Sequence, residues 1–181
     1  GWSKKSFDAP NFRPHIVKYL VNDGKKHPAV FISGGRYREN LRGGRPVAEM
    51  MAAHGYNAFV LNDRHGGGLE VRKSLVRAMD LQRAIRIVRA NADELGVDRD
   101  QIVTFGLSMG NRPTIDLINN LGIRSDPHEI DSTYVSDAID RESAKLNAYI
   151  SEYPATFPWQ AASNYADFPP TFGIMGNRDF S

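Results

Sequence analysis

Short apolar runs rich in β-branched and aromatic residues alternate along this chain with segments of helical period. The strands predicted from those runs cover residues 15–21, 28–33, 56–62, 98–106, 145–153 and 170–176. Helices are predicted over residues 46–55, about 70–95 and 114–122. This alternation is typical of an α/β domain with a mainly parallel sheet. Residues 123–143 are polar and carry no pattern that assigns an element.

Both longer helices have an apolar face. In the first, the residues that share one side are Val47, Met50, Met51 and His54. We expect that side to be buried, with His54 as a packing residue and Gly55 as the C-terminal cap. The second is expected to be an amphipathic helix that crosses over the sheet. Its apolar positions are Val71, Leu75, Ala78, Ile85 and Val88.

The amino-acid composition limits the classes of protein to which this chain can belong. The 181 residues are 41% hydrophobic and 24% charged, so we expect one domain over residues 1–181 with a sizeable core. The net charge is +2 with both signs mixed, which predicts no nucleic-acid partner. The chain has no cysteine, which excludes disulfides, a thiolate nucleophile and Cys-ligated zinc. No apolar run approaches the about 18 residues of a membrane span, so we expect no membrane partner and a soluble protein, cytoplasmic or secreted.

The stretch "VTFGLSMGNR" carries the clearest chemistry. Ser108 lies between Gly106 and Gly110, after a predicted strand and before a predicted helix, which is the context that a Gly-x-Ser-x-Gly motif requires. The glycines permit a sharp turn that exposes the hydroxyl, and the helix N-terminus offers N–H groups to a developing oxyanion. Ser108 is therefore predicted to be a nucleophile. The alternative is that the glycines only permit close packing.

Two further segments fit the same chemistry. The loop "ISGGRYREN" follows an earlier strand, and the backbone N–H groups of Gly35 and Arg36 are predicted to join that of Met109 in an oxyanion hole. Asp179 lies just beyond the last predicted strand, where an orienting carboxylate is expected in the chain order Ser, Asp, His. The alternatives are a tight turn that needs glycine and an Asp that serves only as a turn or cap residue.

Together these runs, from "PAVFISGGRYREN" through "HGYNAFVLNDR" and "GLSMGN" to "FPPTFGIMGNRD", resemble the α/β-hydrolase superfamily. Within it they are similar to small, lidless esterases related to acetylxylan and other carbohydrate esterases. The resemblance covers residues 28–179, with a weak middle between about 120 and 145. It implies a three-layer α/β-hydrolase fold with a mainly parallel sheet, and a serine carboxylesterase that hydrolyses small acyl esters, acetyl groups on sugars above all.

The resemblance also implies roles for individual residues. Ser108 would attack the ester, Asp179 would orient a histidine, and the backbone of Gly35, Arg36 and Met109 would form the oxyanion hole. No cofactor is needed for this chemistry. The expected partner is a small-molecule or carbohydrate ester.

The chain departs from the family pattern at several positions. Arg36 stands where similar sequences have a third glycine, Asn111 where they have a small residue, and Pro113 where they have no proline. Pro113 is tolerable because a first-turn N–H has no helical partner. The family's histidine follows the Asp after another helix and strand, and no histidine follows Asp179 in this sequence. We therefore expect a truncated domain that lacks the last strand and helix.

Five histidines lie upstream of Asp179. His15 and His27 precede their predicted strands, so both are expected at the end of the sheet where no ligand binds. His128 lies in the unassigned segment. His65, in "NDRHGGG", follows the carboxyl end of a strand and is the candidate for a substitute base, with a loop role as the alternative.

The remaining features leave several functions open. Four arginines crowd the glycine-pair loop and its surroundings, either to bind an anionic ester or as part of a solvated loop; they are Arg36, Arg38, Arg42 and Arg45. The acidic residues show no metal-ligand spacing, and no phosphate-binding glycine motif is present. The alternatives to an esterase are a non-catalytic hydrolase-like binding domain and a serine peptidase or lipase of the same fold.

Overall fold

A computed structural model describes residues 13–34, 40–64, 71–122, 125–129, 131–154 and 168–176. Its strands are β1 (His15–Tyr19), β2 (His27–Ser33), β3 (Asn57–Asn62), β4 (Val97–Leu107), β5 (Ala148–Glu152) and β6 (Thr171–Ile174). Its α-helices are α1 (Asn40–Ala53), α2 (Val71–Ala90) and α3 (Arg112–Asp116). Helix α3 continues a 3₁₀ turn (Ser108–Asn111) and leads into a π-helical turn (Leu117–Leu121), and two further 3₁₀ turns cover Pro127–Glu129 and Ala138–Arg141.

The six strands form one sheet in the order β1-β3-β2-β4-β5-β6. Strand β1 runs antiparallel to β3, and every other neighbouring pair is parallel. The prediction of an α/β domain with a mainly parallel sheet is therefore confirmed. Five strands consequently end at the same edge of the sheet, which we call the carboxyl edge.

Helices cover both faces of the sheet, as a three-layer fold requires. Helix α1 packs on one face through Ala48, which lies against Val30, Val60 and their neighbours. On the other face, α2 and the π-helical turn enclose a larger core that contains the stacked rings of Phe31 and Phe59. Because both faces of β2 and β3 are covered, these strands read as continuous apolar runs rather than as alternating ones. No helix among the described residues has the length and apolar character that would cross a membrane.

Helix α1 begins at Asn40, whereas the sequence pattern places its start at Pro46. Glycines disfavour a helix interior and proline favours a first turn, so propensity alone points to the later start. Tertiary packing reverses that preference. A Cβ on Gly44 would lie 2.7 Å from Cγ1 of Val60, so the glycine lets the helix approach the sheet closely.

The expectation that Met50 and His54 face the core is wrong. Met50 is 48% exposed, and His54 is exposed with its Nδ1 on the Met50 carbonyl oxygen. The buried side of α1 is rotated toward Ala48, with Val47 and Met51 partly buried beside it. The predicted cap is confirmed, because Gly55 has φ +85° just after the helix.

Helix α2 has its predicted apolar face, but its polar side is buried as well. Arg86 is 1% exposed and donates to the carbonyl oxygen of Ser125 at 2.9 Å. Arg83 forms ion pairs with Asp137 and Asp140, and holds the pKa of the Asp137 carboxyl below its usual range. The polar segment that carries no sequence pattern thus folds over α2, because side chains of the helix bind its carbonyl and carboxylate oxygens.

The adjacent glycines of α1 provide a matched test of this packing. Alanine at either position gains helix propensity, by about 1 kcal/mol. A Cβ on exposed Gly43 meets nothing within 4 Å, whereas one on Gly44 meets Val60 at 2.7 Å. We expect Gly44→Ala to have a free energy of unfolding about 1–3 kcal/mol below that of Gly43→Ala, because the core is overpacked. Urea unfolding measures both, and equal midpoints would contradict the close approach of α1.

Candidate active site

The candidate site lies at the carboxyl edge, where β2, β4 and β5 end side by side. Ser33 of β2 is opposite Gly106 of β4, and Gly106 is opposite Ser151 of β5. Beyond this row β4 passes directly into Ser108. Ligands of open α/β sheets bind outside the carboxyl ends of the strands. Ser108 is therefore in the part of the fold where a ligand site is expected.

The backbone turns sharply at Ser108. Leu107 is extended, with φ −107° and ψ 116°, and the helical segment starts at the next residue. Ser108 itself has φ +53°, in the left-handed region, and is half-buried. Such a backbone costs a non-glycine residue about 1–3 kcal/mol and persists only where its surroundings hold it. The strand and the helix predicted on either side of Ser108 are present, although the helical segment begins at Ser108 rather than at residue 114.

Both glycines of the motif are sites of close packing. A Cβ on Gly106 would lie 2.6 Å from Cα of Asn111, and one on Gly110 would lie 2.0 Å from the carbonyl oxygen of Ser33. The close packing that the alternative explanation invokes is therefore present at both glycines. It is compatible with a nucleophile, because the same contacts hold Ser108 in its left-handed conformation.

Asn111 connects the Ser108 turn (residues 107–111) to β5. Its side-chain nitrogen donates to the carbonyl oxygens of Ser108 at 2.7 Å and Glu152 at 3.1 Å. Its side-chain oxygen accepts a 2.6 Å hydrogen bond from the hydroxyl of Tyr149. Asn111 is 2% and Tyr149 0% exposed, and burial raises the pKa of the Tyr149 hydroxyl. The tyrosine therefore stays protonated and acts as the donor in this contact.

Arg77 connects the Ser108 turn to the end of β3. The guanidinium donates from Nε to the carboxylate of Asp63 at 2.9 Å and from Nη1 to the carbonyl oxygen of Met109 at 3.3 Å. Asp63 is completely buried, and Arg77 is 5% exposed. A second pair, between Arg64 and the buried carboxylate of Asp80, ties the following residue to the same helix. The position of the turn is thus coupled to α2 and β3 through buried charge.

Several predicted site residues lie outside the described part of the chain: Gly35, Arg36, His65 and Asp179. The structure does describe the strands that precede the glycine pair and Asp179 in the chain. Strand β2 ends at Ser33, whose carbonyl oxygen faces Gly110, and β6 ends two strands from β4 on the same edge. Their predicted roles remain predictions.

The structure corrects the expectation for His15. Because β1 is antiparallel, His15 pairs with Asn62 and lies at the carboxyl edge, not at the opposite one. It is nevertheless remote from Ser108, since three strand spacings separate β1 from β4, or about 14 Å. His27 begins β2 at the other end of the sheet, as expected, with its ring on Gly55 and Asp23. His128 contacts the Tyr134 carbonyl oxygen.

A carboxyl of β5 lies beside the Ser108 turn. Glu152 pairs with Leu107 in the sheet, and partial burial raises the pKa of its side chain. Within the described ranges, no group of three or more His, Asp or Glu side chains is arranged to hold a metal ion.

Sequence reasoning missed the side chains that hold the turn. Asn111 was singled out only as a departure from a family pattern, and Tyr149 only as part of a strand. Asp63 and Arg77 are 14 residues apart, on different elements, so no local spacing relates them. The sequence does offer two signals for this pair. Asp63 is a polar residue directly after a strand, and Arg77 is an arginine inside an apolar helix.

The model of the BD-FAE family matches residues 19–173, which is most of the chain. The chain belongs to the BD-FAE family. Endo-1,4-beta-xylanase B of Butyrivibrio fibrisolvens is 29% identical to this BD-FAE chain over 102 residues, which are 55% of the chain and 16% of that protein. The chain thus spans only a small part of that relative's length.

Solved structures similar to the BD-FAE chain establish an α/β-hydrolase fold. The acetyl ester-xyloside bifunctional hydrolase of Caldicellulosiruptor lactoaceticus superposes with a TM-score of 0.68 at 22% identity, over 92% of this chain and 67% of that one. The propionate-bound esterase Est2 of Thermogutta terrifontis has a TM-score of 0.60 at 24% identity, over 80% of this chain and 51% of the esterase. Esterase 2 of the same organism, phosphorylated by paraoxon, has a TM-score of 0.64 at 22% identity, over 91% and 66% of the two chains.

Loss of the buried ion pair should destabilise the fold. We expect Arg77→Met to lower the free energy of unfolding by about 3–5 kcal/mol, because it removes the positive charge paired with the buried Asp63 carboxylate. Lys26→Met is the control, since its pair with Asp93 is exposed on both sides and should matter far less. Chemical unfolding measures the free energy of unfolding of both variants. Equal losses of that free energy would contradict a structural role for the buried pair.

Gly110 should be intolerant of any side chain. We expect Gly110→Ala to lower the free energy of unfolding by about 3 kcal/mol, the upper end for overpacking, because its Cβ meets backbone atoms that cannot move aside. A Cβ on Gly173 of β6 meets nothing within 4 Å, so Gly173→Ala is the control and should cost little. Thermal unfolding measures both, and a Gly110 variant as stable as this control would refute the contact with Ser33.

Proposed function

We propose that this chain is a serine ester hydrolase, a carboxylesterase in which Ser108 is the nucleophile. The observation that carries the proposal is the left-handed backbone of Ser108, at a turn from strand to helix on the carboxyl edge of a parallel sheet. Strained backbone conformations of this kind cluster at active sites and ligand-binding positions. Here it places a half-buried hydroxyl at the edge where ligands of such sheets bind.

In the proposed reaction the Ser108 hydroxyl oxygen attacks the carbonyl carbon of the ester, and a general base takes its proton. The oxyanion of the tetrahedral intermediate is held by the backbone N–H groups of Met109, Gly35 and Arg36. Collapse of the intermediate expels the alcohol, which receives that proton, and leaves an acyl-enzyme. Water then attacks the acyl group by the same route and releases the acid. Asp179 would orient the base.

Two observations support an oxyanion hole at this place. Met109 directly follows Ser108 in the turn, and it is half-buried. The carbonyl oxygens of Ser33 and Gly34 lie against Gly110, which places the beginning of the glycine-pair loop beside the Ser108 turn.

Small acyl esters, acetyl groups on sugars in particular, are the proposed substrates. The support is membership of the BD-FAE family and the similarity to proteins described as an acetyl ester-xyloside hydrolase and as esterases. The mechanism also needs a general base that takes the proton of Ser108. None of the histidines that the structure describes contacts Ser108, and the candidate is His65, which comes after β3 in the sequence.

A fluorophosphonate that labels activated serines tests the proposal. We expect one adduct by intact-protein mass spectrometry, mapped to Ser108 by peptide analysis and absent from Ser108→Ala. Ser151→Ala is the matched control, because this serine is buried on the neighbouring strand and should not affect labelling. Loss of the nucleophile is also expected to lower ester turnover by about 10⁶-fold.

The same experiment addresses the base and the alternative function. If His65→Ala abolishes labelling, His65 activates the serine; if labelling persists, another group does. Absence of an adduct on the wild-type protein, together with sugar-ester binding that survives Ser108→Ala, would overturn the proposal in favour of a non-catalytic binding domain.

A further inference from the structure

Asn111 occupies a position that the proposed chemistry does not use. It is 2% exposed and satisfies all of its hydrogen-bonding groups within the turn and β5. Both acceptors that face its nitrogen are backbone carbonyl oxygens, of Ser108 and Glu152, so the orientation of the amide is determined by its partners. The hydroxyl of Tyr149 then has to donate to Oδ1. Such a satisfied buried amide specifies one arrangement of the backbone around it.

The bond to Ser108 has a consequence for the next residue. The carbonyl oxygen of Ser108 and the N–H of Met109 belong to one peptide group, and the described chain contains no cis peptide bond. In a planar trans peptide these two groups point in opposite directions. Because Asn111 holds the carbonyl at 2.7 Å toward β5, the N–H of Met109 points away from Asn111.

We propose that Asn111 is a positioning residue that aims the Met109 N–H at the substrate oxyanion. This inference rests on the proposed function and adds to it the side chain that orients one oxyanion donor. Three fixed points support it: the hydroxyl of Tyr149 and the carbonyl oxygens of Glu152 and Ser108, at 2.6, 3.1 and 2.7 Å. Strand β5 thereby sets the angle of a peptide group in the Ser108 turn.

Two neighbouring residues, Arg77 and Gly106, also restrict the conformation of the Ser108 turn. Arg77 donates to the carbonyl oxygen of Met109, so the next peptide group is held as well. Gly106 leaves room for Asn111, since a Cβ there would lie 2.5 Å from the side-chain oxygen of the asparagine. Rotation of the Ser108–Met109 peptide would therefore break the bond to Asn111 without offering a replacement on that side.

Two nearly isosteric variants distinguish a change in the orientation of the Ser108–Met109 peptide from a loss of stability. Asn111→Asp removes both donated hydrogen bonds and keeps the acceptor for Tyr149. Tyr149→Phe leaves the asparagine oxygen without its donor but keeps the bond to Ser108, so it perturbs the same buried network and serves as the matched control. If Asn111→Asp does not fold, Asn111→Ala removes the same two donated hydrogen bonds and permits the same comparison.

The first readout is independent of activity. The ¹³C chemical shift of the Ser108 carbonyl reports whether it accepts a hydrogen bond, and we expect an upfield change in Asn111→Asp but not in Tyr149→Phe. The second is steady-state hydrolysis of an acetyl ester. Asn111→Asp should lower kcat by about 100-fold, the scale of a misplaced catalytic group, with little change in KM, whereas Tyr149→Phe should remain much closer to the wild type.

Two results would overturn the inference: an unchanged Ser108 carbonyl resonance in the Asn111 variant, or equal losses of kcat in both variants. Failure of the proposed function looks different. In that case the wild-type protein neither hydrolyses an ester nor takes the fluorophosphonate, while the carbonyl resonance still decides whether Asn111 holds the peptide.

Discussion

The turn after β4 lies so close to the ends of β2 and β4 that Gly106 and Gly110 have no space for a Cβ. This contact decides much of the local structure. It brings the backbone of Gly110 against Ser33, and it lets the side chain of Asn111 pass over Gly106 to reach β5. The left-handed backbone of Ser108 is the result, because the chain must leave the strand and enter the helical segment within one residue. Close packing and the left-handed backbone of Ser108 are thus two consequences of one constraint.

Buried charge attaches this turn to the rest of the domain. Arg77 of α2 reaches both Asp63, after β3, and the carbonyl oxygen of Met109. Farther along the same helix, Arg83 and Arg86 hold the polar segment that covers it, and Arg89 donates to the carbonyl oxygens of Arg99 and Lys145. Helix α2 therefore has two functions in the fold. It packs on the sheet through its apolar face, and its charged side chains organise segments that lack an apolar pattern of their own.

Solved esterase structures share the fold of this BD-FAE chain at 22% and 24% identity. Within this fold, the side chain of Asn111 donates to the carbonyl oxygen of Glu152 in β5 and accepts a hydrogen bond from the hydroxyl of Tyr149. The buried hydrogen bonds of Asn111 thus hold the Ser108 turn on the sheet, and the proposed chemistry depends on that same turn.

The sequence by itself determined the strands, the order of elements, the mainly parallel sheet and the place of Ser108, because apolar periodicity and glycine positions are local properties of the chain. Only the tertiary structure decided the rest. The antiparallel direction of β1 moved His15 to the carboxyl edge, and contact with Val60 extended α1 through its glycines. The partners of Asn111 and Arg77 come from strands and helices distant in sequence, so no spacing along the chain encodes them. Periodicity reports which face of an element is buried, but hydrogen bonds between elements exist only after those elements have packed.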